Sequence, residues 1–355
     1  MLIYPLLIIG LLTSKIKTST STPFSKADTN GLKGLFAILI FLHHISYKFN
    51  AFDDMPALSL IFNDIGSIGV GVFFFISGYG LMISSRKPDY TKNLLCKKIP
   101  KLYLLHVLIN ILYIFADIIR GVSYDFITFL TAGLGLDMFN NFVRANGNSW
   151  YITSILIIYF IFAITKLYCT KNNTKEKTFF ILFSLFTILV FGIFLLAFSY
   201  NFNEVSIYIR AIYCLFFGMI YFYFSPKINK FLSKYFWYII GLIVVAIVLL
   251  LDIQMSYSEG QVLFTIIKEF LLPVLVMIFI LTLNQKITLD SPVLNFLGDI
   301  SLEIYLLHGL IQELLFGVIN NQFLFTLTSL VLVIILSTII NKIYTKLSNK
   351  LTKKN

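Results

Sequence analysis

Apolar stretches close to the length that crosses a lipid hydrocarbon core recur along this chain, at 32–49, 66–84, 99–120, 149–168, 178–199, 206–224, 235–252, 262–283, 299–319 and 323–345. In hydrocarbon every backbone N–H and C=O must be satisfied inside the protein, so single segments of this kind cross as helices. A soluble domain of 355 residues could not absorb 58% hydrophobic residues and 37 phenylalanines. The expectation is an all-α fold: a polytopic integral membrane helical bundle of ten core transmembrane helices. A further stretch, MLIYPLLIIGLL, lacks a basic leader and a small-residue cleavage site, and is read as an extra N-terminal helix rather than a cleaved signal. The chain then divides into an N-terminal hydrophobic segment and loop at 1–30, a membrane domain at 31–346 and a basic tail at 347–355.

The net charge of +11 raises the question of nucleic acid, but the basic residues sit in alternate loops and form no run interleaved with exposed aromatics. Orientation accounts for them, and no nucleic-acid partner is expected. With 13–33 placed in the cytoplasm, that side receives Lys26, Lys33, Arg86, Lys98, Lys101, Lys171, Lys227, Lys286 and Lys346 among many others, while Asp64, Asp125 and Glu259 fall outside. The three cysteines, Cys96, Cys169 and Cys214, build no disulfide framework and read as packing residues. The loop at about 121–148 is the longest external one and the place to look for substrate contacts.

Ionisable groups inside the hydrocarbon are costly and each is a functional candidate, although many only satisfy one another. In LFAILIFLHHISYKF, residues 35–49, the adjacent His43 and His44 point about 100° apart on a helix and so should not share a ligand. Lys33, Ala37, Ile40 and His44 follow i, i+4, i+7, i+11 and share one stripe. Eleven residues place His44 roughly 16 Å above Lys33, the reach of an extended pantetheine arm. Two readings of that stripe stand: coenzyme A threaded from a cation to an imidazole, or Lys33 marking a helix end while His44 bonds a neighbour.

The sequence resembles the membrane acyltransferase-3 family, which contains O-acetyltransferases of bacterial surface glycans. GLKGLFAILIFLHH resembles its first core helix, with a basic residue and a histidine at Lys33 and His44. GVGVFFFISGYGL, 69–81, resembles the second, with Ser77, Gly78 and Tyr79 in its polar ending. KKIPKLY, 97–103, stands where the family has two basic residues three apart, here Lys98 and Lys101. SLEIYLLHGLI, 301–311, resembles the late helix with Ser301, Tyr305 and His308, and NSWYI and RAIYCLFFG add weaker matches. One departure is chemical: lysine stands where the family usually has arginine, keeping the charge but losing the bidentate fork.

The resemblance implies an O-acyltransferase that moves an acyl group, taken as acetyl, from cytoplasmic acetyl-CoA to a hydroxyl of a cell-surface or exported glycan, in a bacterial plasma membrane. His44 would be the general base, with His308 and Tyr305 beside it as catalytic groups. Lys33, Lys98 and Lys101 would bind the donor's phosphates, and Trp150, Tyr151, Arg210 and Ser301 the substrate. His106 is expected to be structural, and Lys268 and Glu269 to pair within their helix. No metal is expected, since four histidines lie without a suitably spaced carboxylate. The partners expected are the glycan acceptor and membrane lipid. The rival reading is a polysaccharide or small-solute exporter using the buried His and Arg residues as a relay; no inverted repeat or paired broken helix supports it.

Overall fold

The computed structural model describes residues 15–16, 24–50, 56–136, 146–197, 202–257 and 261–352. The expected helix at 1–12 lies outside them, as does Arg144 in the long loop. The described chain is helical, with α1 Lys26–Phe49, α2 Pro56–Ser84, α3 Tyr90–Ile119, α4 Phe126–Gly133, α5 Ser149–Lys171 and α6 Glu176–Ala197. There follow α7 Phe202–Lys234, α8 Phe236–Met255, α9 Val262–Leu283, α10 Pro292–Asp299, α11 Ser301–Leu315 and α12 Gln322–Thr352. A two-residue antiparallel contact, β1 Lys15–Ile16 with β2 Ile287–Thr288, ties the N-terminal segment beneath the bundle.

Nine of these helices among the described residues are long and apolar enough to cross a membrane, or ten if α10 and α11, bent by 71° at Ile300, count as one span. The chain is a multi-pass membrane protein. The expected span at 299–319 is realised as that bent pair, because the 15 residues of α11 rise only about 22 Å and need α10 to reach the surface. Helix α2 begins earlier than the expected 66, and α3 starts at Tyr90 instead of 99. The short α4 within the long loop was not foreseen.

Local chemistry explains the boundaries and the breaks. Ser25 caps α1 with a complete capping box to Asp28, and Asn50 closes it in the left-handed region at φ 46°. The wide, π-type turns at Leu94–Lys98 and Ile267–Leu271 each precede a proline, Pro100 and Pro273. A proline ring collides with the carbonyl four residues back and offers it no N–H, so the ladder widens there. The carbonyl left over by Pro273 belongs to Glu269, and the Tyr213 hydroxyl donates to it at 2.8 Å. In α7 the Ser225 hydroxyl likewise bonds Phe222 O, the carbonyl opposite Pro226.

The centre of the bundle is α2 packed along α7, with α1 against α2, α10 and α11. Small residues allow that approach. A Cβ at Gly78 would overlap the Leu215 carbonyl, and one at Gly218 the Phe75 carbonyl, so the two helices meet backbone to backbone from both sides. Gly31 and Gly34 press α1 onto the backbone at Leu289 and Leu294 in the same way. Helices α6 and α8 form the periphery and turn Leu185, Leu196, Trp237 and Leu242 outward to lipid.

Alanine at Gly78 should therefore push α2 from α7 and cost about 1–3 kcal/mol. Alanine at Gly80, where a Cβ meets nothing within 4 Å, should leave stability unchanged or raise it slightly. Thermal unfolding in detergent measures both; equal midpoints for the two variants would contradict the backbone contact.

Candidate active site

Pressed against α10, α1 carries Lys33 to a cavity of about 270 Å³ on the lysine-bearing face of the bundle. Four of the residues expected at the site line it: Lys33, Lys101, Tyr151 and Ser301. Lys98 stands just behind its wall, with Nζ 4.4 Å from the centre of the lining Tyr159 ring. Lys101 packs similarly against Tyr344, 4.9 Å from its centre. Carboxylates share the space: Asp299 and Glu303 are lining residues, and Asn341 Nδ2 donates to Glu303 Oε1 at 2.8 Å. Ser301 belongs to this end, its hydroxyl donating to Gly298 O at 2.8 Å.

Phe73 and Tyr151 also line the cavity, and from them a run of aromatic contacts leads deeper into the protein. Tyr151 meets Tyr305 at 5.3 Å between ring centres, and Tyr305 meets His308 at 6.0 Å. His308 and His44 lie 4.7 Å apart. The helices α1 and α11 thus climb side by side in one direction, Lys33 beside the Ser301 end and His44 beside His308. Gln312 Nε2, donating to Phe41 O at 3.2 Å, adds a tie between them.

The two imidazoles on α1 have different surroundings, although their rings touch at 4.7 Å. His43 Nδ1 lies 2.7 Å from Phe62 O and its ring presses on Gly66 of α2, so it is fastened as a packing group. His44 faces His308. The latter is fully buried, and its Nδ1 lies 3.2 Å from Ile304 O, an acceptor that selects the Nδ1–H tautomer. Nε2 is then the bare lone pair, and it has no hydrogen-bond partner among the described residues.

Helix α11 is held at this turn by α3. The buried Tyr113 hydroxyl donates to Leu306 O at 3.1 Å and accepts from Leu310 N at 2.8 Å, spanning a rung of the helix next to His308. Gly309 makes room for it, since a Cβ there would meet that hydroxyl at 2.7 Å.

Trp150 and Tyr151 open α5 as expected, but inside the bundle and not at an outer interface, since the preceding Asn146 and Ser149 are buried. Trp150 turns to the other side, with its ring 6.1 Å from Phe74 and the Arg210 guanidinium 5.9 Å from its centre. Arg210 is ion-paired with Glu269, which also accepts from Ser67 Oγ at 3.0 Å. The expected pairing of Lys268 with Glu269 is corrected here. Adjacent helix positions diverge, and the wide turn before Pro273 buries Glu269 against Arg210 while Lys268 turns toward Phe264. His106, expected to be structural, is buried with Nε2 3.3 Å from Gly135 O just after α4.

Among the described residues no group of three His, Cys, Asp or Glu side chains could hold a metal. Sequence reasoning missed Glu303, Asn341 and the role of Glu269. The signal for Glu269 was a carboxylate inside an apolar span; Asn341, on the last helix, carried none.

A family model described as an acyltransferase domain, acyltransferase 3, matches residues 27–342. No curated protein and no solved structure matches the chain.

Removing either partner of the buried ion pair leaves the other charge uncompensated, so Glu269→Ala and Arg210→Ala should each destabilise by about 3–5 kcal/mol. The double change Arg210→Met with Glu269→Leu should be milder than either. Melting temperatures of the purified variants decide; additive losses would show that the two residues act separately.

Proposed function

We propose, from the premise that the chain belongs to this acyltransferase family, that it is an O-acyltransferase moving an acetyl group from cytoplasmic acetyl-CoA to a hydroxyl of a cell-surface or exported glycan in a bacterial plasma membrane. The observation that carries the reading is the unbroken run of ring contacts from the lysine-lined cavity through Tyr151 and Tyr305 to the His308–His44 pair. It joins a polar donor mouth to two imidazoles about one pantetheine arm away.

In this reading Lys33, Lys98 and Lys101 hold phosphates at the mouth, and the arm enters through the cavity and passes Tyr151 and Tyr305 to bring the thioester beside the histidines. The acceptor hydroxyl comes from the opposite face, where Trp150 offers a ring to a sugar and Arg210 a charge. An imidazole takes the hydroxyl proton as the oxygen attacks the thioester carbonyl. The new C–O bond forms, the C–S bond breaks, and the proton passes to the departing thiolate. His44 is the base, with His308 at its side and the Tyr305 hydroxyl facing the charge that develops on the carbonyl oxygen.

Membranes carrying the protein, incubated with labelled acetyl-CoA, should yield base-labile labelled acetate on glycan. Proton-driven solute flux without label transfer would favour the exporter instead. His44→Gln keeps much of the size and hydrogen bonding but takes up no proton, and should lower kcat by about 10² to 10⁴. His308→Gln should also be impaired. His43→Ala should lose stability while the surviving protein keeps its turnover. A His44→Gln variant working at the parent rate would pass the base assignment to His308. Alanine at Lys98 or Lys101 should chiefly raise the KM for acetyl-CoA, each lost contact costing about 1.5–3 kcal/mol. Unchanged KM in alanine variants of Lys33, Lys98 and Lys101 alike would return the three lysines to the role of topology signals.

A further inference from the structure

The cavity on the lysine face is not the uniformly basic hollow that a phosphate site alone would need. Glu303 is 2% exposed, yet it lines the cavity, and Asn341 from the last helix holds one of its oxygens. A carboxylate accepts N–H or O–H groups, which an ionised phosphate does not offer, so it selects a different part of the ligand from the lysines.

Helix geometry says which part. Glu303 precedes His308 by five residues on α11, which places it about 7.5 Å below the imidazole along the axis. Lys33 lies about 16 Å below His44, the neighbour of His308. The carboxylate is therefore midway between the cation and the reacting end. An extended pantetheine arm carries its two secondary amides in that interval, between thioester and diphosphate.

We propose that Glu303, held by Asn341, is a seat for an amide N–H of the donor's pantetheine arm, so that the cavity reads the arm and the phosphates with separate groups. The inference rests on the donor reading above and goes beyond it by assigning the arm's recognition to these two side chains. Asn341 and the Glu303 backbone N–H fill two acceptor positions of the carboxyl, and its remaining lone pairs are open to the arm. A hydrogen bond to a buried charged group is of the stronger kind. The arm passes Glu303 on the cavity side of α11 and reaches the histidines past Tyr151 and Tyr305.

The rival role for Glu303 is a counter-ion for Lys33 and Lys101, and the two roles predict opposite behaviour toward the nucleotide half of the donor. The test uses the purified full chain and calorimetric binding of two probes, coenzyme A and adenosine bisphosphate lacking the pantetheine arm. Glu303→Ala should weaken coenzyme A roughly tenfold and Glu303→Gln by less, with bisphosphate affinity unchanged in both. Lys101→Ala should weaken both probes. Bisphosphate binding that tightens when Glu303 is neutralised shows a counter-ion and overturns the seat, as does coenzyme A binding that stays at the parent value. A parent protein that binds neither probe refutes the donor reading itself, and the proposed seat with it.

Discussion

Hydrocarbon offers no partner to a polar atom, so each one carried into this bundle has to be answered by another part of the chain. The architecture around the imidazoles is largely a set of such answers. Pro273 strips the Glu269 carbonyl of its helical partner and Tyr213 supplies one, while the widened turn brings the Glu269 side chain to Arg210 and Ser67. The Phe62 carbonyl takes up His43, and the Tyr113 hydroxyl joins both ends of a rung in α11. The bare Nε2 of His308 lies beside two rings, those of His44 and Tyr305.

The fold was legible in the sequence wherever a long run of apolar residues had no other explanation than burial in lipid, and less so where polar residues extend a helix past its apolar core. Helix α2 starts ten residues before its expected beginning because Ser59, Asn63 and Asp64 lower the hydropathy there, yet Asp64 is buried and accepts from Gln254. The short α4 escaped notice because eight residues are too few to register as a span. Asp125 caps its start, and the Asn110 amide on Ala132 O and the Tyr103 hydroxyl on Leu134 O tie its end to α3. The 71° bend at Ile300 falls at the expected start of the span, where Gly298, Asp299 and Ser301 read as an ordinary helix end.

For the site, the sequence supplied the groups and the structure supplied their neighbours. The i, i+4, i+7, i+11 stripe from Lys33 to His44 is a local property of one helix, so spacing alone found it. The meeting of His44 with His308, of Glu303 with Asn341 and of Arg210 with Glu269 joins residues at least 38 positions apart, and no local period encodes such pairs. Glu303 is instructive because it sits inside SLEIYLLHGLI, between Ser301 and Tyr305. On a helix two residues turn the side chain by about 200°, so it left their face and drew no attention. At the N-terminal end of α11 the bend at Ile300 and the approach of α12 bring Ser301, Leu302 and Glu303 alike into the cavity wall.

The arrangement also bears on how a reaction could be run across a membrane protein without a leak. On the proposed reading the donor and the acceptor arrive from opposite faces, and only rings lie between the cavity and the imidazoles. Tyr151 packs against Phe73, Phe74 and Tyr305 at 4.9 to 6.1 Å, edge-on or tilted, so rings crowd the way from the cavity to the imidazoles. An arm that reaches His308 must displace Tyr151 or Tyr305 by side-chain rotation, a motion that the tight contact of α2 with α7 does not oppose. The rings then close around the arm itself. The same side chains that exclude ions and water from the resting protein would in this way dry the thioester as it meets the histidines, which favours transfer to the acceptor hydroxyl over hydrolysis.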